Sequence, residues 1–447
     1  MEKLSYKLLE KQGYKGYLLK DAPVKVLQFG EGNFLRAFVD YFFDLANEKV
    51  GFNGKVAGVQ PIPTGRAKEI NDQDGLYTVL LRGLENGEKV VSKRIVSSIS
   101  KVINPYEEYD ALMAYAASPD IRFVVSNTTE AGIAFVKTDK LTDRPASSFP
   151  GKLTQLLKAR YDAGLSGFVF LPCELIDKNG ENLKKCVFQY ADLWGLGDGF
   201  KEWIEKDNIF CNTLVDRINT GYPKDEKIEV GFDDKMINTS EYFHLWVIEE
   251  YSGLFEEIPF DKCGLNVILT DNLEMYRTRK VRILNGAHTS FVPYALLSGF
   301  DTVKSCIDDE KMLAYIKKCV YEEIIPTLDL PREELVEYAD NVITRFSNPY
   351  IRHMLISIAL NSVSKFKVRV LPSILEYIKR YDKMPETLIF SFAKLIDFYM
   401  TDMTNDDPDV TAFMKSATVG DILANEKLWG EDLSFLESEV AKYVVNK

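Results

Sequence analysis

Apolar residues in the first 175 positions occur both in short, mainly apolar runs and in helically spaced stripes. Residues 24–29 (VKVLQF) form such a run and end at a glycine, and apolar positions from 34 to 45 then recur every three or four residues. This order predicts a strand, a tight turn and a helix. Three further runs, at 56–59, 121–126 and 168–171, are mainly apolar, as parallel strands between helix layers usually are. The pattern predicts an α/β domain.

A hairpin is predicted in the segment between the runs at 56–59 and 121–126. Residues 76–82 and 90–99 have strand-like composition and flank Asn86 and Gly87. An Asn-Gly step favours a tight two-residue turn between antiparallel strands. We therefore expect an antiparallel insertion beside the parallel sheet.

The apolar spacing changes near residue 270. Residues 228–269 are mixed and contain two candidate strands, whereas apolar positions from 271 onward follow a helical period. Residues 388–400 (LIFSFAKLIDFYM) are apolar nearly all round, which is typical of the central helix of a bundle. This change predicts an α/β domain over residues 1–270 and an all-helical domain over residues 271–447.

Charge and residue counts narrow the function classes. The 447 residues include 55 Lys and Arg against 67 Asp and Glu, a net charge of −12. Nucleic-acid binding and docking on an anionic membrane both need concentrated positive charge, so neither partner is expected. The three histidines, at 244, 288 and 353, are far apart, and the six cysteines contain no CxxC pair. No metal site is predicted, and any proton chemistry must rest on few histidines.

The chain has no recognisable targeting segment. The N-terminal stretch MEKLSYKLLEKQGYKG lacks the basic and apolar regions of a signal peptide. No uncharged apolar run approaches the roughly 18 residues that a membrane span needs. With cysteines that show no disulfide pattern, these features predict a cytoplasmic protein with reduced thiols.

A glycine pair follows the first predicted strand. Gly30, Glu31 and Gly32 open the next helix, where glycine permits a tight turn and the helix N–H groups attract a pyrophosphate. Leu35 stands where the third glycine of a GxGxxG motif would be, so an ordinary strand–helix turn remains an alternative. The second strand ends at Gln60, with no acidic residue for a ribose hydroxyl. Sequence chemistry alone therefore leaves NAD and NADP equal.

A lysine, an asparagine and a histidine share one predicted helix. On a regular α-helix, Asn285 is rotated by about 140° and His288 by about 80° from Lys280, so the three lie within one broad face. The set suits the interconversion of a carbonyl and an alcohol. Lys280 would be the general acid/base if burial and nearby arginines lower its pKa, and Asn285 would donate a hydrogen bond to the reacting oxygen. A surface lysine, a capping asparagine and a core histidine remain the alternative.

Two separated motifs together carry a resemblance to a known family. FGEGNFLRAF at residues 29–38 and K-x4-N-x2-H at residues 280–288 resemble the polyol-specific long-chain dehydrogenases, the mannitol dehydrogenase family. Within that family, other segments resemble the enzymes that reduce tagaturonate to altronate. These segments are QFGEGNFLRAFVD, QDGLYTVLLRG, SNTTEAGI, PCELID, TLVDRI, ILNGAHT and EEIIPTLDLPR.

The resemblance implies a fold, a cofactor and a set of site residues. It implies an α/β, Rossmann-type N-terminal domain, a mostly α-helical C-terminal domain, NAD as cofactor and a hydride transfer without metal. Lys280 would be the catalytic acid/base, Asn285 the donor to the oxyanion and His288 a substrate-positioning group. Ser126 and Asn127 follow a predicted strand, where a dinucleotide would be contacted. The implied cofactor loop comprises Phe29, Gly30, Glu31, Gly32, Asn33, Phe34, Leu35 and Arg36.

The sequence departs from the family at one position. Mannitol dehydrogenases carry an asparagine after a Cys-Asp pair, and that asparagine helps to hold the reacting oxygen. This chain has Cys173, Glu174 and then Leu175 at that place. Asn179, four residues further on, is a candidate substitute and a candidate substrate-binding residue.

A uronate substrate would add a carboxylate, which is best bound by an arginine or a lysine in a sheltered site. The candidate cations are Arg217, Arg345, Arg352 and Lys365. Arg352 and His353, expected on a helix of the second domain, are the preferred substrate-binding pair.

The expected function is an NAD-dependent reduction of tagaturonate to altronate, a small sugar acid. Fructuronate reductase and a mannitol-type polyol dehydrogenase are alternatives that share the same catalytic triplet. A non-catalytic dinucleotide-binding protein is an alternative of another class. The sequence is equally consistent with a monomer and a homodimer.

Overall fold

The computed structural model of the protein describes residues 1–85, 88–224, 226, 228–249, 251 and 253–446. Its chain divides into two units. The first comprises residues 1–82 and 89–273, and the second comprises residues 274–447 with the segment 83–88. The strands in chain order are β1 (Val24–Phe29), β2 (Lys55–Val59), β3 (Tyr77–Glu85), β4 (Glu88–Val96), β5 (Ile99–Ile103), β6 (Phe123–Ser126), β7 (Val169–Pro172), β8 (Ile209–Phe210), β9 (Thr213–Asp216), β10 (Asn219–Gly221), β11 (Asn238–Ser240), β12 (Leu245–Glu249) and β13 (Val267–Thr270).

A parallel sheet of order β5-β2-β1-β6-β7-β8 forms the centre of the first unit. The strand order runs outward in both directions from β1 and β6, which is the doubly wound Rossmann topology. Phe29 lies opposite Val59 on one side and Ser126 on the other, so β1, β2 and β6 end at the same edge. The predicted α/β fold class and the predicted strands 24–29, 56–59, 121–126 and 168–171 are confirmed.

Both faces of this sheet are buried. Leu27 and Phe29 contribute to one apolar cluster, and Val26 contributes to another on the opposite face. Since successive side chains of a strand point to opposite faces, a strand covered on both sides has an unbroken apolar sequence. The helices of the first unit are α1 (Tyr6–Lys11), α2 (Asn33–Ala37), α3 (Val39–Val50), α4 (Ala67–Asn71), α5 (Tyr109–Ala114), α6 (Phe149–Asp162), α7 (Asn179–Leu193), α8 (Asp198–Asp207) and α9 (Leu254–Glu257).

The helix after the glycine turn is present, but it is broken at Phe38. This residue has φ −121° and ψ −82°, outside the helical region. The carbonyl of Arg36 accepts a hydrogen bond from the Tyr77 hydroxyl at 2.8 Å, and the carbonyl of Ala37 accepts one from the Arg217 guanidinium at 2.7 Å. These side chains take up carbonyls that a continuous helix would use itself, so the one predicted helix is two.

Two smaller sheets complete the strands. One has the order β10-β11-β3-β4, and the other has the order β13-β12-β9. The prediction that β3 and β4 are neighbouring strands is confirmed, while the Asn86-Gly87 turn itself lies outside the described residues. The predicted strand 90–99 is wrong at its end, because β4 stops at Val96 and Ile99 belongs to β5.

The second unit is helical from residue 274 onward, as predicted. Twelve of the fourteen residues of α18 (Glu386–Tyr399) are buried, which confirms the prediction of a central helix at residues 388–400. α13 (Glu310–Lys317) is followed directly by a π-helical segment, Lys318–Ile324. The helices from Leu273 to the end are α10 (Leu273–Arg279), α11 (Gly286–Leu297), α12 (Val303–Asp308), α13 (Glu310–Lys317), α14 (Arg332–Phe346), α15 (Leu355–Ile358), α16 (Ser362–Arg369), α17 (Leu371–Tyr381), α18 (Glu386–Tyr399), α19 (Pro408–Ser416), α20 (Val419–Leu423), α21 (Glu426–Trp429) and α22 (Glu437–Val440).

Candidate active site

A cavity of about 510 Å³ opens at the carboxyl edge of the parallel sheet. It is lined by Gly30 and Gly32 after β1, by Asn127 and Thr128 after β6, and by Ser148 at the start of α6. Strands β1 and β6 are the neighbours at which the strand order reverses, the position where doubly wound sheets bind their ligands. The volume falls within the range of small-molecule and cofactor sites.

Gly30 has a conformation that requires glycine. Its φ is +119°, and a Cβ at this position would lie 3.0 Å from the Asn127 carbonyl oxygen and 3.1 Å from Leu35 Cδ1. Gly32 differs, because its φ is −67° and a Cβ there would meet no atom within 4 Å. Glycine at position 30 therefore lets the loop pack closely against Asn127, the residue after β6. Gly32 leaves open space beside the cavity.

The predicted cofactor loop has an outward part and an inward part. Glu31 lines the cavity with the two glycines, and burial raises the pKa of its carboxyl. Arg36 is turned inward, since its guanidinium donates to the Glu31 carbonyl at 3.2 Å, the Met236 carbonyl at 2.7 Å and Asn33 Oδ1 at 2.6 Å. Phe29 and Leu35 are buried in the core, and Phe34 stacks on Phe38 with ring centroids 4.9 Å apart.

A buried carboxylate ties together the ends of β6 and β7. Glu174 accepts hydrogen bonds from the Ser126 hydroxyl at 3.0 Å, from the Thr128 N–H at 2.8 Å and from the Thr128 hydroxyl at 2.9 Å. Burial raises the pKa of Glu174, while these donors lower it. Asn127 donates to the Cys173 carbonyl at 3.1 Å. Sequence reasoning missed this role of Glu174, although the PCELID segment pointed to the loop.

The loop after β2 is organised by an amide. Gln60 donates to the carbonyls of Ile62 and Pro63 at 2.9 and 3.1 Å, so its side chain shapes the rim of the cavity. The Arg66 guanidinium forms an ion pair of 2.9 Å with Glu69. The nearest arginine after this strand is thus already paired with a carboxylate.

Asn179 is fully occupied by the backbone. Its amide nitrogen donates to the carbonyls of Pro172, Glu174 and Thr213 at 3.0, 3.1 and 3.0 Å. Its oxygen accepts the N–H groups of Gly180 and Thr213, each at 2.9 Å. An amide has two N–H bonds to donate, so Asn179 has no donor left for a substrate. Leu175, which stands at the family asparagine's place, is 58% exposed.

The lysine, asparagine and histidine lie on one continuous helical stretch of the second unit. α10 ends at Arg279, residues Lys280–Asn285 are π-helical, and α11 begins at Gly286. Hydrogen bonds in a π-helix run from residue i to i+5, so position 285 follows position 280 by about one turn. The rotation of about 140° expected for a regular α-helix is therefore wrong. The π segment brings Lys280 and Asn285 closer to one face, and such segments are frequent at functional sites.

His288 is a neutral, buried ring. It stacks on Phe346 with centroids 4.2 Å apart and meets His353 edge-on at 5.0 Å. Burial lowers the pKa of His288 well below its ordinary value, and the charges of His353, Arg345 and Arg369 lower it further. Within the described part of the chain, no group hydrogen-bonds its Nε2 atom. The ring can therefore exchange a hydrogen bond with a ligand hydroxyl.

Asn285 and Lys280 are both half-buried. No residue in the described ranges hydrogen-bonds the side-chain amide of Asn285, in contrast to Asn179. Arg282, on the same π segment, donates to Ser373 Oγ at 2.7 Å and to Thr327 Oγ1 at 3.3 Å, and burial lowers its pKa to about 10.

The four predicted carboxylate-binding cations have different surroundings. Arg217 is buried in the first unit and donates to two backbone carbonyls, of Glu241 and Ala37, so it supports the chain. Arg345 is buried, Arg352 is exposed, and Lys365 donates to the Ile358 carbonyl at 2.9 Å.

Arg352 and His353 do not lie on a helix, and that prediction is wrong. They lie in the non-helical stretch between α14 and α15, where Val303 N–H donates to the His353 carbonyl at 3.0 Å. The half-buried ring of His353 still reaches His288.

The described residues contain no group of three or more His, Cys, Asp or Glu side chains that could hold a metal ion. Among the same residues, no helix is long and apolar enough to cross a membrane.

Comparison with family models matches both parts of the chain. Residues 24–262 match the mannitol dehydrogenase Rossmann domain, and residues 272–445 match the mannitol dehydrogenase C-terminal domain. Among solved structures, a D-sorbitol dehydrogenase in substrate-free form superimposes with a TM-score of 0.81 at 23% identity, over 98% of this chain and 96% of that one. The Pseudomonas fluorescens mannitol 2-dehydrogenase, in ternary complex with NAD and D-mannitol, gives a TM-score of 0.70 at 23% identity, over 99% and 95%.

Curated relatives are more similar in sequence. The altronate oxidoreductase of Bacillus subtilis (strain 168) is 46% identical over 431 residues, which cover 92% of this chain and 89% of the relative. The altronate oxidoreductase of Yersinia enterocolitica is 48% identical over 386 residues, which cover 84% of this chain and 80% of the relative.

Proposed function

This chain belongs to the mannitol dehydrogenase family, and from that premise we propose that it catalyses the NAD-dependent interconversion of tagaturonate and altronate. The observation that carries the proposal is the identity of 46% and 48% to two altronate oxidoreductases over 92% and 84% of this chain. Such an enzyme is a dehydrogenase that acts on a CH–OH group. A cytoplasmic location belongs to the same proposal, and the six buried cysteine thiols support it.

The first domain, residues 1–270, is proposed to bind the dinucleotide. A Cβ at Gly30 would fill the loop that lines the cavity, so the residues present fit a group that must approach the backbone closely. Gly30, Glu31 and Gly32 with Ser126 and Asn127 would hold it, and Glu174 would keep Ser126 in place. When bound, NAD accepts the hydride in oxidation and returns it in reduction.

The surroundings of the second strand's end favour NAD over NADP. Gln60 ends the second strand and is used by its own loop, and Arg66 is paired with Glu69. A 2′-phosphate is usually bound by an arginine at this place. The end of the second strand therefore supports NAD, whose ribose carries no 2′-phosphate.

The second domain, residues 271–447, is proposed to carry the acid/base chemistry. In reduction, Lys280 donates a proton to the carbonyl oxygen of the substrate, and in oxidation it removes the hydroxyl proton. The unused amide of Asn285 donates a hydrogen bond to that oxygen as negative charge develops. The neutral His288, with its unpartnered Nε2, positions a substrate hydroxyl.

The proposal is tested by following NADH oxidation with tagaturonate, fructuronate and fructose side by side. The largest kcat/KM is expected for tagaturonate. A larger value for fructuronate or fructose would replace the proposed substrate with that ketose. Binding of NADH with no turnover of any of the three would contradict an enzymatic function.

A further inference from the structure

One arginine near the proposed catalytic helix was not among the predicted cations. Arg369 is the last residue of α16, in the second unit, and is half-buried. No hydrogen bond or ion pair joins its guanidinium to another residue in the described part of the chain. None of its side-chain nitrogens is fully buried, so the guanidinium remains accessible to an anionic ligand.

The backbone of Arg369 lies directly against the proposed catalytic helix. A Cβ at Gly286 would be 2.9 Å from the Arg369 carbonyl oxygen, so glycine at 286 lets the end of α16 pack onto the start of α11. Gly286 follows Asn285 and precedes His288 by two positions. The backbone of Arg369 therefore lies next to Asn285 and His288, the two residues proposed to hold the reacting end of the substrate.

The electrostatics agree with this placement. Burial alone lowers the pKa of Arg369, with no carboxylate to offset it. The charge of Arg369 also contributes to the lowered pKa of His288, after burial and the charges of His353 and Arg345. The Arg369 charge thus reaches the His288 ring, and among the described residues no carboxylate pairs with it directly.

The other cations of the second unit are less suited to this role. Arg352 is exposed, and Lys365 already donates to the Ile358 carbonyl at 2.9 Å. Arg345 is already engaged by a neighbouring group. An arginine without a partner offers a fork of donors that matches a carboxylate.

We propose that Arg369 binds the carboxylate of a uronate substrate and so selects uronates over neutral ketoses. The inference rests on the proposed function, because it assigns the charged end of the same substrate. It makes Arg369 a specificity residue, distinct from Lys280 and Asn285, which act on the carbonyl.

The test compares two substrate pairs that differ by one carboxylate. Tagaturonate is paired with tagatose, and fructuronate with fructose, in the wild type, in Arg369→Met and in Arg369→Lys. For Arg369→Met, kcat/KM on the uronates should fall by about 10- to 100-fold, the loss of a charge-assisted hydrogen-bonded pair. The values for the neutral ketoses should stay within about twofold, and Arg369→Lys should recover part of the loss.

A matched control is Arg332→Met, which removes an exposed arginine at the start of α14. It should leave all four kcat/KM values unchanged. An equal loss on uronates and neutral ketoses in Arg369→Met, or no loss on uronates, would overturn the inference. If the wild type prefers fructuronate to tagaturonate, the proposed substrate is wrong, while the fructuronate and fructose pair still decides the role of Arg369.

Discussion

The two regions proposed to do the chemistry differ in whether backbone or side-chain groups form them. The cavity of the first unit is lined largely by backbone and small side chains, with Gly30 closed against the Asn127 carbonyl. The helix of the second unit presents the functional groups of Lys280, Asn285 and His288. A backbone site depends on the space around the chain, whereas a side-chain site depends on chemical identity. Substitutions should therefore change cofactor affinity in the first region and turnover in the second.

Removal of the Lys280 amine should have the largest effect. In Lys280→Ala, kcat should fall by about 10²- to 10⁴-fold, because general acid/base catalysis contributes about that much. The dissociation constant of NADH, measured by fluorescence titration, should remain close to that of the wild type. Lys383→Ala, at an exposed position of the same unit, is the control. An unchanged kcat in Lys280→Ala would refute the role of the lysine.

Asn285 and Asn179 are expected to have a chemical role and a structural role, respectively. Asn285→Ala should lower kcat by about 10²- to 10³-fold, the effect of removing one oxyanion donor, with little change in melting temperature. Asn179→Ala should instead lower the melting temperature, since it leaves several buried backbone groups without a partner, at about 1–3 kcal/mol each. Kinetics and thermal unfolding of both variants measure the difference. Similar melting temperatures for the two variants would contradict it.

A methyl group at Gly30 should weaken cofactor binding. Gly30→Ala combines a positive φ with a close contact to the Asn127 carbonyl, and strain of this kind costs about 1–3 kcal/mol. We expect NADH to bind about 10- to 100-fold more weakly, while kcat at saturating NADH changes much less. Gly32→Ala, which meets no atom, should give a smaller loss. A larger loss in Gly32→Ala would show that steric closure of the loop is not what matters.

The smallest effect concerns a histidine outside both regions. His244 donates from Nδ1 to the Tyr242 carbonyl and accepts the Asn266 N–H, and burial lowers its pKa to about 4. Between the ordinary histidine pKa of about 6.5 and this value, the unfolded chain binds more protons. The free energy of unfolding should therefore fall as the pH falls through that window, by about 1 kcal/mol per pH unit or less.

Denaturant unfolding of His244→Gln at several pH values measures this contribution. The variant should have a shallower pH dependence below about pH 6.5 and an unchanged kcat/KM. An identical slope in variant and wild type would mean that other groups cause the acid sensitivity.

Much of the fold could be predicted because the burial of a strand or helix determines where its apolar residues stand in the sequence. Residues 24–29 are mostly apolar since both faces of β1 are covered, and residues 388–400 are apolar nearly all round since α18 is enclosed. The break at Phe38 could not be predicted in this way. It depends on Tyr77 and Arg217, which lie 41 and 180 residues from the carbonyls they bind.

The candidate site was predicted in part. The spacing of Lys280, Asn285 and His288 is visible in the sequence, but the π-helical turn that sets their relative direction is not. Asn179 is a residue type that often binds ligands, yet its amide donors are used by three backbone carbonyls. Nothing in the sequence distinguished Arg369 from the other basic residues.

By itself, the sequence determined the four central parallel strands, the helical character of the second half, the glycine at position 30 and the presence of a lysine, an asparagine and a histidine within nine positions. These are local properties, set by periodicity and by residue type. Only the tertiary structure decided which polar side chains are already used, as with Arg36 and Arg217, and which stay available, as with Asn285 and Arg369. The reason is that a hydrogen-bond partner is supplied by another part of the chain, and no local pattern records where that part will lie.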